Sequence, residues 1–169
     1  MGRAGRGAVA VAVVLALGSA AWSAYWTAGG TALLSTVGGA VEDLARERSP
    51  AGVLLGAGTV LAKLAAAVLA AALVLRPARP VRVLGRLAGW LLTGWGGANV
   101  LLGGLVLTGV LHLGPVADER ALRWHVLVWD LSFLLWGIAL LTACRSAARA
   151  QRGGAVEARS TSTGSTSSP

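Results

Sequence analysis

Two formally charged residues stand inside long apolar runs and mark where chemistry is to be sought: Lys63, between Ala51 and Leu75, and Asp130, between Trp124 and Cys144. A charge at mid-bilayer costs about 2.5–3.5 kcal/mol on insertion scales, so it tends to face the protein interior and take a partner. At helical spacing Lys63 shares a face with Gly52, Gly56, Thr59, Ala66, Ala67 and Ala70. That stripe of small residues suits packing against other helices. Asp130 shares a face with Val126, Leu127, Phe133, Leu134 and Gly137. Both runs cross in the same direction, and the lysine stem can reach toward the outer surface. An ion pair between Lys63 and Asp130 is expected, with Arg123 as the rival partner. Such a pair either fixes helix register or handles a proton or a ligand.

Other polar and aromatic residues converge on the outer half of the same helices. The first helix contributes Ser19, Trp22, Tyr25 and Trp26; the third, Trp95 and Asn99 one turn apart; the fourth, Trp124, His125 and Trp129. The candidate ligand or ion site is therefore Tyr25, Trp26, Lys63, Asn99, His125, Trp129 and Asp130, an aromatic-walled cavity with an ammonium and a carboxylate near its floor. The competing reading is an aromatic belt at the membrane interface. On an α-helix His125 falls about 140° around from Asp130, so no local dyad is expected. With two histidines and one cysteine, no metal site, cofactor site or internal disulfide is expected. Cys144 reads as a small apolar filler. Neither a phosphate-binding glycine loop nor a nucleophile elbow is present.

The elements that must position these residues follow from composition. Hydrophobic residues make up 55% of the chain and charged residues 13%, against about 25% charged in soluble domains. The apolar residues form four blocks, 8–28, 51–75, 87–113 and 124–144. Each reaches the roughly 20 residues that a spanning helix needs, and none alternates as a barrel strand would. The expected fold is all-α, a four-helix transmembrane bundle over 1–145 with a disordered tail over 146–169, since Ser160–Pro169 is almost all Ser, Thr and Gly. Block one also has the form of a signal peptide, with a small-residue site at Ser19-Ala20-Ala21. Its continuation through Trp22, Tyr25 and Trp26 favours a retained helix. A short surface helix is expected over Val41–Arg48. The stiff turn Arg76–Pro80 makes the second and third helices antiparallel neighbours. The pairs Gly52/Gly56 and Gly85/Gly89 are read as internal packing sites.

The net charge of +8 is distributed for topology, not for nucleic acid. Arg3, Arg6, Arg76, Arg79, Arg82 and Arg86 fall on one side, joined by the arginines that follow block four. The other side carries Arg46, Arg48, Arg120 and Arg123 among acids. Basic loops stay in the cytoplasm. Both termini are expected there, in the plasma membrane, with the lipid bilayer as partner and no nucleic acid.

Three motifs carry a family resemblance. Tyr25-Trp26-Thr27-Ala28-Gly29-Gly30 resembles a YWxxGG signature, Gly96-Gly97-Ala98-Asn99 a GGxN element, and Arg123 to Asp130 an RWHxxxWD element, all of a family of small bacterial four-helix membrane proteins of unknown function. The resemblance covers roughly residues 8 to 145 and implies a membrane fold but no activity. Relatives place a histidine where this chain has Ser23, and often a proline where it has Leu131.

Three functions are compatible with these residues. One is binding or transport of a small ligand, lipid or proton through the outer cavity, transport calling for a homo-oligomer. Another is an accessory subunit of a larger membrane complex. The third is an enzyme using Asp130 or His125 as general base on a lipid-borne substrate.

Overall fold

The computed structural model describes residues 1–112 and 118–164, with 154–164 as backbone alone. Six α-helices appear among the described residues: α1 Arg3–Thr27, α2 Gly39–Glu47, α3 Pro50–Leu75, α4 Arg79–Leu107, α5 Glu119–Trp124 and α6 Asp130–Gly164. A 3₁₀ turn, Leu34–Thr36, precedes α2, and a π turn, His125–Trp129, links α5 to α6. Helix starts follow local chemistry. Ser49 accepts from the Gly52 N–H at 3.2 Å with Pro50 in the first turn of α3, and Asp118 accepts from the Ala121 N–H at 2.9 Å to open α5.

Boundaries differ from the apolar blocks at the charged ends. Helix α4 starts at Arg79, not near 87, because Pro80 in the first turn gives up only an N–H that has no helical partner. It stops at Leu107, where Gly109 turns with φ +71°; residue 113, the expected end, lies outside the described residues. Helix α6 continues past 144 through Gly164, over much of the segment expected to be a disordered tail. Ala, Arg and Gln between Ala147 and Arg152 are strong helix formers and extend it. Residues 165–169 lie outside the described residues. The expected surface helix forms as α2, with Arg46 and Glu42 paired at 2.5 Å.

Helix α1 packs on α3, α4 packs on α6, and α1 and α6 join the two pairs. Helices α3 and α4, expected to be neighbours, touch only sparsely. The reason is the glycine face of α4, which is turned to α6. A Cβ at Gly85 would lie 2.8 Å from Cys144 Sγ, one at Gly89 2.9 Å from the Leu141 side chain, and one at Gly96 2.5 Å from the Leu134 nitrogen. The α4 and α6 backbones therefore approach closely, as small residues permit in lipid. Ala12, Ala16, Ala70, Leu73, Leu140 and Cys144 form the common core.

Leu54, Leu61, Val68 and Leu91 stay exposed on the outward faces. Among the described residues four helices are long and apolar enough to cross a membrane, so these faces meet lipid and the chain is a multi-pass membrane protein. The first turn of α1, the 76–78 connection and residues 146–151 of α6 meet at one end, where Gly5 abuts Ser146 and Gln151 reaches Pro77. The 28–49 segment covers the opposite end, hereafter the capped end.

The close α4–α6 contact yields a matched pair of variants. A Cβ at Gly96 would strike α6 backbone, whereas one at Gly94 meets nothing within 4 Å. Gly96→Val should destabilise the protein by about 1–3 kcal/mol through overpacking, lowering its Tm in mild detergent. Gly94→Val should leave Tm near wild type.

Candidate functional site

A cavity of ≈390 Å³ opens at the capped end, walled by α1, α3 and α6, reached by Trp95 and Asn99 of α4, and roofed by the 3₁₀ turn and α2. Its size falls within the ~300–1,000 Å³ common to small-molecule sites. Of the seven residues singled out from sequence, Trp26, Lys63, Asn99, His125, Trp129 and Asp130 line it. Tyr25 does not. Its ring lies over Gly30, and its hydroxyl accepts from the Ala32 N–H at 3.4 Å, so it serves the roof from outside the cavity.

Lys63 does not pair with Asp130. Its Nζ donates to Ser23 Oγ at 2.7 Å and to the Ser19 carbonyl at 3.4 Å, both on α1, and sits 5.7 Å from the centre of the Phe133 ring. No carboxylate lies within 4.0 Å of it among the described residues. An ammonium has three donors; two have protein partners, and the side chain faces the cavity. Ser23 is thus the lysine's principal partner. The serines at positions 19 and 23, one turn apart and aligned with Lys63, were the signal for it.

Asp130 pairs instead with His125, Nδ1 to Oδ2 at 3.3 Å. The expectation of no local dyad assumed an unbroken α-helix. The π turn over His125–Trp129 widens the coil to i→i+5 hydrogen bonds and brings residues five apart onto one face. Arg123, the rival partner, pairs with Glu119 at 2.6 Å on the exposed side. The other imidazole nitrogen, Nε2, donates to the Val37 carbonyl at 2.6 Å, because a carbonyl can only accept. One proton must then reside between Nδ1 and the carboxylate; without it two lone pairs would face each other.

The roof is held by indoles and by this imidazole. Trp129 Nε1 donates to Thr36 Oγ1 at 3.2 Å, and Trp26 Nε1 donates to the Ala32 carbonyl at 2.9 Å. Trp22, Trp26 and Trp129 pack together with ring centroids 5.4–6.3 Å apart. Leu34 and Thr36 are each 1% exposed beneath the roof. Leu33 takes a left-handed conformation, φ 56°, to turn them inward. The apolar run Leu33, Leu34 and Val37 was the only sequence signal that this connection is built into the fold. Asn99 donates to the Trp95 carbonyl of its own helix at 2.9 Å. Its neighbour in the motif, Gly96, packs against the backbone of Asp130 and Leu134.

No family model, curated protein or solved structure matches the chain.

The imidazole bridge makes a local prediction. Removing the imidazole leaves the Val37 carbonyl without its partner, a loss of about 1–3 kcal/mol, and frees the roof without dismantling the bundle. His125→Ala should raise amide hydrogen exchange in residues 34–37 by about tenfold or more, with little change in α3, as read by mass spectrometry. Unchanged exchange would mean that the roof is held by its apolar contacts alone.

Proposed function

We propose that this membrane protein binds a small, largely apolar molecule carrying an acidic group, with the apolar body against the indoles and the acid on Lys63. The observation that carries the proposal is the ammonium at the cavity floor, without a carboxylate in reach while the cavity's one carboxylate is engaged by His125. Arg48, the other cation lining the cavity, lies across Gly29 and also has no carboxylate within 4.0 Å among the described residues. Charge thus selects an anion, and the remaining wall selects apolar surface. The sparse contact between α3 and α4 gives the bilayer a route to the cavity, since Leu55 and Thr59 on one side and Trp95 on the other both line it. A lipid-like ligand that partitions into the membrane suits such a path.

Arginine placement supports an orientation with both termini in the cytoplasm and the cavity at the outer face of the plasma membrane. Arg76, Arg79, Arg82 and Arg86 lie at the end opposite the roof, with Arg145, Arg149 and Arg152 on the same side. The resemblance of the YWxxGG and RWHxxxWD elements to a bacterial membrane family favours the same setting.

The indoles give the test its readout. A brominated medium-chain carboxylate should quench tryptophan fluorescence saturably in the purified protein. Its Kd should weaken by about tenfold or more in Lys63→Met, the scale of a charged hydrogen bond, and the matching brominated alcohol should bind like the variant. Equal affinity for acid and alcohol, unchanged in Lys63→Met, would sink the proposal.

A further inference from the structure

A second cavity, ≈420 Å³, lies at the opposite end of the bundle, between the start of α4 and the α6 turn at 148–152. Arg79, Arg82 and Arg86 project into it from one face of α4, at spacings of three and four, and Arg152 and Gln151 project from α6. No carboxylate lines it among the described residues. Glu42, Asp43, Glu47, Asp118 and Glu119 belong to the capped end and Asp130 is bound to His125; Glu157 follows on α6, with its side chain outside the described residues. Arg82 is half-buried and fixed by donation to the Pro77 carbonyl, which Gln151 also reaches at 2.6 Å. The guanidinium is thereby oriented before any ligand arrives.

Retention of positive loops in the cytoplasm requires only that arginines be present on one side; it does not require them to converge. Arg76, Arg145 and Arg149 lie at this same end and stay outside the cavity. Guanidinium groups grouped around one concavity are suited to phosphate oxygens, which they bind through paired N–H donors. The surface of α4 beyond the cavity is apolar and exposed at Leu84 and Leu87. A headgroup seated among the arginines therefore leaves its acyl chains against the helix. Basic pockets between membrane helices recognise anionic lipid headgroups in this manner.

We propose that this cavity binds the phosphate headgroup of an anionic phospholipid, such as phosphatidylglycerol or cardiolipin. The site is separate from the aromatic cavity and does not depend on its ligand. The test is native mass spectrometry of the full chain in mild detergent with added phosphatidylglycerol, cardiolipin or phosphatidylcholine. Wild type should retain the anionic lipids and shed phosphatidylcholine. Arg79→Gln/Arg152→Gln, which alters two exposed side chains, should lower lipid occupancy by about tenfold. Arg145→Gln/Arg149→Gln removes the same charge outside the cavity and should retain the lipid. Equal loss in both double variants would reduce the effect to net charge and overturn the proposal, as would equal retention of phosphatidylcholine. Displacement of the lipid by millimolar inorganic phosphate would assign the pocket to the free ion instead.

Discussion

The chain's sole lysine lies within an apolar bundle, and the charge on Lys63 must be met by groups that the bundle itself supplies. In hydrocarbon there is no water to solvate it, so the surrounding helices present oxygen and aromatic surface. Helix α1 offers the Ser23 hydroxyl and the Ser19 carbonyl, and α6 offers the Phe133 ring. These neighbours are dipoles and a quadrupole, not a counter-ion. The charge is solvated without being neutralised, and this is the basis of the proposal that the cavity takes an anion.

Keeping Asp130 from the lysine falls to a local irregularity. One π turn moves His125 onto the carboxylate's face, and the same imidazole grips the Val37 carbonyl in the roof. The turn thus joins the site to its cover. Gly96 opposite allows α4 to press against the backbone that begins α6, just beyond the turn. The GGxN and RWHxxxWD elements are in this way two sides of one contact. The YWxxGG element has a comparable role above, since Tyr25 covers Gly30, Trp26 bonds Ala32, and Gly29 turns with φ +99°.

The four long helices, the all-α class and the short surface helix α2 were legible because block length, charge placement and Gly or Pro punctuation report them directly. Six of the seven candidate residues line the cavity, since polarity inside apolar runs is costly and therefore informative. What the sequence did not disclose was pairing. The Lys63–Asp130 ion pair was drawn on ideal α-helical wheels, and a π turn shifts every angle by a fraction of a turn that composition does not encode. Which helices adjoin was misjudged for a related reason. Loop brevity put α4 beside both α3 and α6; the second pairing forms, whereas the first is sparse because the glycine face of α4 is turned to α6. The part played by the 28–38 connection was hidden because Leu34 and Thr36 become core residues only once Leu33 adopts its left-handed turn.

Because Lys63 is the only lysine, selective ¹⁵N labelling gives a single ammonium signal, and this permits a direct test. The measurement is solid-state NMR dipolar recoupling between ¹⁵Nζ of Lys63 and the ¹³C-carboxylate of a bound medium-chain acid, in lipid bilayers. The account predicts strong recoupling, corresponding to a nitrogen–oxygen contact of about 3 Å. Saturable binding of the acid with no recoupling to that nitrogen would place the ligand elsewhere and contradict the role assigned to Lys63.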